Sequence, residues 1–166
     1  MKQFSPAERS TFAYWFAHWR AFQYVAWRLH LWRPRYLLHD CEKPWLRLFW
    51  DYRRVQQWHR RHNSHHLDNG TGRHDWTAML IDWECSRLTK SDTQLTAYET
   101  YVYEWLKHEE MRTLLEAQML PLLQQHHDQL VQLPGGREFD HDDAMRKAQE
   151  RYDRWLRKWG TAAQSQ

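Results

Sequence analysis

Apolar residues recur at helical spacing along most of the chain, and this pattern predicts an almost wholly helical protein. The sequence contains only 5 Gly and 5 Pro that could interrupt helices. Few stretches show the alternating, β-branched pattern that is typical of strands. The fold class that we expect is therefore all-α, a helical bundle without a sheet.

Three helices are predicted in the first third of the chain. The first should begin at about Ser10, a suitable N-cap residue, and end at about Leu31. Its aromatic positions surround most of the circumference, so we expect a central helix. Pro34 is well placed to open a second helix and Pro44 a third, which would continue through WLRLFWDYRRVQQWHRRH.

The turn-rich segment NSHHLDNGTGRHD separates these helices from a fourth, WTAMLIDWECSRL, for which Asp75 is the expected N-cap. After a break at SDT, an amphipathic pattern runs from about Leu95 to Leu133 and is interrupted near Pro121. The LPGG segment then predicts a helix stop and a turn.

This turn divides the chain into a helical domain over residues 1–133 and a C-terminal region over residues 134–166. The second region contains a charged segment with helical spacing from about Asp140 to Trp159. We expect this helix either to pack on the bundle or to serve as a partner-binding arm. The last residues, TAAQSQ, are expected to be frayed.

The composition is that of a soluble globular protein, because 42% of the 166 residues are hydrophobic and 27% are charged. No run approaches the roughly 18 apolar residues of a membrane helix, and MKQFSPAERS lacks the apolar core of a signal peptide. We therefore expect a cytoplasmic protein that does not associate with a membrane. Cys41 and Cys85 are too few for a disulfide framework, and buried, reduced thiols are expected.

The net charge of +3 conceals an asymmetry along the chain. Residues 1–74 carry 13 Lys or Arg against 5 acidic residues, whereas residues 75–166 carry 11 against 16. The basic half could attract ligands that bear phosphate groups, nucleic acid among them. Alternatively, the two halves simply attract each other.

Ligand-type side chains occur within apolar helical patterns at several places. His18 lies on the buried face predicted for the first helix, His39 and Asp40 are adjacent on the predicted second helix, and Asp82 lies among small and apolar residues on the fourth. Taken singly, His18 is typical of a hydrogen-bonded core histidine, and Asp82 of a cap or a buried ion pair. Together they offer imidazole and carboxylate groups from separate helices.

The segment WHRRHNSHH adds more histidines, and 12 His in all is an unusual number. If the third helix continues through this segment, His59, His62 and His66 share one face, with His65 beside them. A solvated basic face is the alternative, although Lys, Glu and Gln form helices better than His. Imidazoles with carboxylates suit divalent transition metals, one or two ions of Mn, Fe, Ni, Zn or Co.

The order of these residues resembles the HD-domain superfamily of metal-dependent phosphohydrolases. More narrowly, the HDxxK segment ending at Lys43, the histidine run HRRHNSHH and the MxxDW segment around Asp82 resemble DUF5662, an uncharacterised HD-like family of phage and bacterial genomes. The resemblance covers about residues 11–127 and implies an HD-domain-like bundle with a C-terminal helical extension. For a phage protein, the expected location is the host cytoplasm.

The resemblance implies that His18, His39, Asp40 and Asp82 hold one metal ion. In relatives with extra histidines a second ion is present, for which His59, His65 and His66 are the candidates here, with Asp40 bridging the two. The role of ligand is not carried over to His62, because the family often has Arg at that place.

The activity that the resemblance implies is hydrolysis of a nucleotide or a small phosphodiester by a metal-bound hydroxide. Asp40 or Asp82 would orient the nucleophile or accept its proton, and Lys43 would neutralise charge on the phosphoryl oxygens, although a salt bridge to a nearby carboxylate is its ordinary role. Arg60 and Arg61 could hold a phosphate, or be solvated. The indole rings near the site could stack on a nucleobase, although most must be core: Trp45, Trp58, Trp76 and Trp83.

Two other interpretations follow from the same residues. The chain could be a non-catalytic, phage-type protein that binds nucleic acid or a host protein and holds any metal structurally. It could also be a small structural protein whose histidines are unrelated to one another. An open coordination position and a steep salt dependence of binding would distinguish catalytic from nucleic-acid-binding roles.

Overall fold

The computed structural model describes residues 1–92 and 94–163, and beyond residue 157 it describes only the backbone. The predicted all-α class is confirmed, since these residues form no strand and their β contact is an isolated bridge between Phe4 and Lys90. The α-helices are α1 (Phe12–Arg28), α2 (Glu42–Leu46), α3 (Tyr52–His62), α4 (Trp76–Thr89), α5 (Ala97–Lys107), α6 (Arg112–Leu114), α7 (Leu120–Gln125), α8 (His127–Val131) and α9 (His141–Ala163). Shorter 3-10 helices cover Pro6–Ser10, Pro34–Leu38 and Glu109–Met111.

The first helix begins one residue later than predicted. Ser10 ends the preceding 3-10 helix, and the N-cap is Thr11, whose hydroxyl accepts a hydrogen bond from the Tyr14 amide at 3.2 Å. The expectation of a central helix is wrong, because Phe12 and Trp27 are 67% and 71% exposed. One face of α1 is buried, and it packs on α4.

The central helix is instead α4, in which Met79, Leu80 and Ile81 are all fully buried. Its predicted N-cap is confirmed, since the Asp75 carboxylate accepts from the Ala78 amide at 3.1 Å. This cap fixes where the helix begins and therefore which face it turns toward α1. Asp82, two turns further along, lies on that face in contact with the His18 ring.

The predicted second and third helices take a different form. Pro34 opens a 3-10 helix that ends at Leu38, so that His39 and Asp40 lie in a turn rather than on a helix. The predicted third helix is divided into α2 and α3, because Asp51 caps a new helix by accepting from the Arg54 amide at 2.9 Å.

The pattern over residues 95–133 also contains more breaks than the interruption predicted near Pro121. The first helix of this region, α5, already ends at Lys107. A π-helical segment, Leu115–Met119, lies directly before Pro121, and the chain continues helically through it. Bulges of this kind take up the i→i−4 hydrogen bond that a proline cannot make.

The LPGG segment forms the predicted stop, with the Gly136 amide donating to the Leu133 carbonyl at 2.7 Å and Gly135 at a φ of 70°. Beyond it, α9 packs along α5 and buries Ala144 and Ala148, so this helix belongs to the core. The frayed end that was expected at TAAQSQ lies, from residue 164, outside the described residues. The division at residue 134 into two regions stays a prediction. None of the described helices is long and apolar enough to cross a membrane.

Replacement of Asp51 by Ala should lower the free energy of unfolding by about 1 kcal/mol, because the first turn of α3 loses its side-chain acceptor. Chemical denaturation measures this change. Asp51→Ser should recover most of the loss, since a hydroxyl also caps. Equal destabilisation by both substitutions would show that the carboxylate acts through its charge rather than as a cap.

Candidate metal centre

Side chains from four helices and two turns converge at one place between α1, α2, α3 and α4. The helices contribute one residue each and the turns contribute two each. Four overlapping groups of three potential ligands occur there, and within each group the ligand atoms lie within 4.8 Å of one another. The predicted metal ligands are all members of these groups: His18, His39, Asp40, His59, His65, His66 and Asp82.

Asp40 lies at the middle of this centre, in a left-handed backbone conformation with a φ of 59°. The turn is held by its carbonyl oxygen, which accepts from the Trp15 indole at 2.7 Å and from the Lys43 amide at 3.1 Å. Asp tolerates this conformation better than most residues, and such strain is common at functional sites. The result is a carboxylate with 1% of its side chain exposed.

The first ligand group consists of His18, His39 and Asp82. His18 Nε2 lies 3.0 Å from Asp82 Oδ1 and 3.6 Å from Asp40 Oδ2. His39 Nε2 lies 3.7 Å from Asp82 Oδ1. The His39 ring stacks on the Phe22 ring, and their centroids are 3.6 Å apart. These three residues and Asp40 are the set that the resemblance assigns to one ion.

The second ligand group consists of His59, His65 and His66. His59 Nε2 and His65 Nε2 lie 3.3 and 3.6 Å from Asp40 Oδ1, so that this carboxylate adjoins both groups. The predicted continuation of α3 is wrong, because the helix ends at His62 and a turn brings in His65 and His66. His62 is exposed, and its Nδ1 donates to the Trp58 carbonyl at 2.7 Å.

Two histidines have their ring tautomers set by second contacts. The Thr89 hydroxyl donates to the Cys85 carbonyl at 2.9 Å, so it can only accept from His18 Nδ1, 3.4 Å away. His59 Nδ1 similarly donates to the Glu42 carboxylate, which also accepts from the Asn63 amide at 3.0 Å. Both rings therefore present the Nε2 lone pair to the centre, as metal-binding histidines do.

The sequence reasoning missed Glu42 and Thr89, which contact two of the candidate ligand histidines. In the sequence, Glu42 is notable only as a possible partner of Lys43. A signal was present all the same, because a carboxylate that orients a ligand histidine is common in metal sites, and Glu42 lies only two residues after Asp40. The distance of 17 residues from His59 concealed the pairing.

The electrostatics of the centre keep its carboxylates ionised. Burial by itself would raise the pKa of Asp40, but the neighbouring His39 and Lys43 outweigh it and hold this pKa well below the usual value. The pKa of Asp82 is likewise well below its usual value, because the adjacent His18 and His39 rings outweigh the effect of burial. Lys43 Nζ lies 2.5 Å from Asp40 Oδ2, and although burial opposes its charge, the nearby carboxylates raise its pKa.

The same burial keeps several imidazoles neutral. It lowers the pKa of His65 to about 3, that of His18 below its usual value and that of His66 well below it. Only neutral imidazole can donate a lone pair to a metal ion.

Three buried polar atoms of the centre have no hydrogen-bond partner among the described residues: His39 Nε2, Asp40 Oδ1 and His66 Nε2. Buried polar groups of this kind are normally paired. Each is a potential ligand atom, and each belongs to one of the groups already described. These buried His and Asp groups could therefore hold a metal ion, and nitrogen and oxygen donors suit divalent transition metals.

A cavity opens on either side of the centre. The first, about 130 Å³, is lined by His18, Asp40 and Lys43 together with Tyr14, Trp15 and Tyr52. The second, about 210 Å³, is lined by His66 and Asp82 together with cationic side chains.

The predicted substrate-binding residues are distributed unequally around these cavities. Arg60 lines the second cavity and pairs with Asp68 at 2.6 Å, whereas Arg61 is exposed at the end of α3. Trp58 stacks on His62, away from both cavities, and Trp83 is the member of the predicted aromatic group that lines one of them. Trp15, which no pattern singled out, lines the other.

Comparison with known proteins adds no relative, since no family model, no curated protein and no solved structure matches the chain. The resemblance to HD-like families therefore stays a prediction.

Glu42→Gln should weaken metal binding by about 10–100-fold, because the amide orients His59 less strongly than the carboxylate does. A competition titration with a chromogenic chelator measures the affinity. The matched control is Glu109→Gln, whose carboxylate is 86% exposed. Affinity equal to that of the control would contradict the orienting role.

The metal-free protein should lose stability as the pH falls from 7 to 5. The folded state holds the pKa of His65 at about 3 against a usual 6.5, so the unfolded chain binds more protons over this range and acid favours unfolding. This residue alone should account for about 2 kcal/mol. Asp40 and Asp82 act in the same direction below their usual pKa of 3.8.

The measurement is chemical denaturation at several pH values in the presence of a chelator. In His65→Gln the loss between pH 7 and pH 5 should be smaller. In the control His62→Gln, which changes an exposed imidazole, it should equal that of the wild type. An unchanged pH dependence in His65→Gln would contradict the assignment.

Proposed function

We propose that the protein is a metal-dependent phosphohydrolase that acts on a nucleotide or a small phosphodiester. The observation that carries the proposal is the Asp40 carboxylate, which adjoins both ligand groups and has an oxygen without a hydrogen-bond partner among the described residues. One ion would be held by His18, His39, Asp40 and Asp82. A second would be held by His59, His65 and His66, with Asp40 shared.

The surroundings of the centre favour catalysis over a structural role. Structural zinc sites are usually closed and rich in Cys, whereas catalytic sites keep a position open to water and substrate. Here the thiol of Cys85 is 3.7 Å from the His18 ring, but burial raises its pKa well above the usual value, so it remains protonated. The cavity beside His18, Asp40 and Lys43 offers a substrate a way to the ligands.

The chemistry that a divalent cation supplies in such a centre is Lewis acidity, which acidifies water and neutralises charge on phosphoryl oxygens. The protein's own groups would position the reactants. Because Asp40 and Asp82 remain ionised, they accept hydrogen bonds and orient water rather than act as acids. Lys43 uses one donor on Asp40 and has others for a phosphoryl oxygen.

The aromatic wall of the first cavity suits the organic part of a nucleotide. Tyr14, Trp15 and Tyr52 line it together with the centre's own residues. A base stacked on an aromatic ring gains roughly 1–3 kcal/mol in single-strand binding proteins.

A second candidate function is a non-catalytic, phage-type protein that binds nucleic acid or a host protein and holds the metal structurally. The observation in its favour is an exposed apolar group next to the HD segment, in which Trp45, Leu48 and Phe49 are 70%, 70% and 80% exposed. Exposed apolar patches often mark interaction sites.

Elemental analysis of protein purified without a histidine tag tests the proposal first. The wild type should contain one or two equivalents of a transition metal, and His39→Ala and Asp40→Ala should lose it. Asp82→Asn should lose less, since the amide keeps an oxygen donor. His62→Ala serves as the control, because its ring lies outside the centre.

The activity assay uses bis(p-nitrophenyl) phosphate as the diester and p-nitrophenyl phosphate as the monoester. At least one should be hydrolysed, with a loss of about 100-fold or more in His39→Ala and Asp40→Ala and none in His62→Ala. A bound metal without hydrolysis of these esters or of nucleotides would favour the second candidate. Equal activity in Asp40→Ala and His62→Ala would exclude the assigned centre.

A further inference from the structure

The second cavity has a character unlike that of the first. Two residues of the centre, His66 and Asp82, form one side of it. The remaining wall is largely polar and includes four cationic side chains: Arg9, Arg60, Lys90 and Arg151. These side chains come from the first 3-10 helix, α3, the residue that follows α4, and α9.

Two of the four cations have no carboxylate partner in the part of the chain that the structure describes. Lys90 Nζ donates to the Ser86 hydroxyl at 2.8 Å, which supplies no charge. Burial lowers the pKa of Lys90, and the attraction of Asp82 offsets this effect only in part. The guanidinium of Arg151 lies 4.4 Å from the centroid of the Tyr103 ring.

The carboxylates around the cavity are already engaged. Asp82 belongs to the metal centre, and Glu104 lies 3.2 Å from His108. Arg9 pairs with Asp92 and Arg60 with Asp68, outside the set of residues that line the cavity. The cavity therefore has more positive than negative charge on its wall.

A negatively charged ligand would supply the counter-charge that the wall of this cavity lacks. Lys90 and Arg151 are both partly buried, and hydrogen bonds to an anion would offset the cost of removing these cations from water. The volume of about 210 Å³ far exceeds the roughly 10–15 Å³ that one water needs, so a phosphate group fits. Arg and Lys are the usual ligands of phosphate groups in proteins.

We propose that this cavity binds a second phosphate group of the substrate, beyond the one that reacts at the metal centre. The substrate would then carry at least two phosphate groups, with its aromatic part in the first cavity and its second phosphate against Lys90 and Arg151. This inference rests on the proposed function. It explains why the two cavities that flank the centre differ: both have cationic side chains, but the wall of the first is mostly apolar and aromatic, whereas that of the second is mostly polar.

The test compares the binding of inorganic phosphate and inorganic pyrophosphate by calorimetry. The protein is measured as purified and again after treatment with a chelator and dialysis, so that binding by the cavity is separated from binding by a metal ion. As purified, the wild type should prefer pyrophosphate by about tenfold or more, and Lys90→Met should abolish that preference. After chelation the preference should fall, because one phosphate would then face the ionised Asp40 and Asp82, but Lys90→Met should still weaken the binding of phosphate. Arg53→Met removes an exposed positive charge from the same helix as Arg60 and should retain it.

Arg151→Met carries the same test if Lys90→Met does not fold, since Arg151 is only partly buried on α9. Pyrophosphate preference that persists in the folded Lys90 and Arg151 variants would overturn the inference, as would equal binding of the two anions by the wild type. Preference that depends on Lys90 without hydrolysis of any ester would refute the proposed function but leave the anion site in place. The two failures are therefore distinguishable.

Discussion

The charge of the Asp40 carboxylate is the constraint to which the rest of this structure responds. An ionised group with 1% exposure loses most of its hydration, at a cost of several kcal/mol unless partners replace the water. Lys43 supplies one positive charge, but Asp82 and Glu42 bring two further negative ones to the same place. The three carboxylates and Lys43 therefore have an excess of two negative charges, which a divalent cation would balance.

Protonation of the histidines would be an unfavourable way to balance this negative charge. Burial disfavours protonation of His18, His65 and His66, whose pKa values are all lowered. Neutral imidazoles add lone pairs to the centre without adding positive charge. A set of neutral nitrogen donors around excess negative charge has the electrostatic character of a metal site. The convergence also argues against the interpretation that the histidines are unrelated to one another.

Sequence patterns predicted the parts of this site that lie on regular helices. Helical spacing placed His18 and Asp82 on buried faces, and the cap at Asp75 fixed the register of α4, so that these two side chains meet as expected. The turn at Asp40 was not predictable, because the residues around it are compatible with a helix. Its left-handed conformation depends on a distant contact from Trp15, 25 residues earlier in the chain.

The residues of the histidine run come together by a geometry other than the predicted one. Helical spacing would have aligned His62 with its neighbours, whereas α3 ends there and the following turn brings His65 and His66 to the centre instead. Asn63, the residue after the helix, also bonds Glu42 and so links the turn to the group that orients His59. Such side-chain contacts compete with continuation of the helix, and the helix propensities of the residues do not include them.

Folding neutralises part of the charge asymmetry along the chain and brings cations from both halves together. Arg35 of the basic half pairs with Asp75 of the acidic half at 2.6 Å, so part of the asymmetry is used within the fold. The cationic cavity, by contrast, combines Arg9 and Arg60 from the first half with Lys90 and Arg151 from the second. Folding rather than sequence position therefore concentrates positive charge beside the candidate metal centre. A ligand attracted by this charge would arrive where the buried carboxylates and imidazoles already lie, as the proposed function requires.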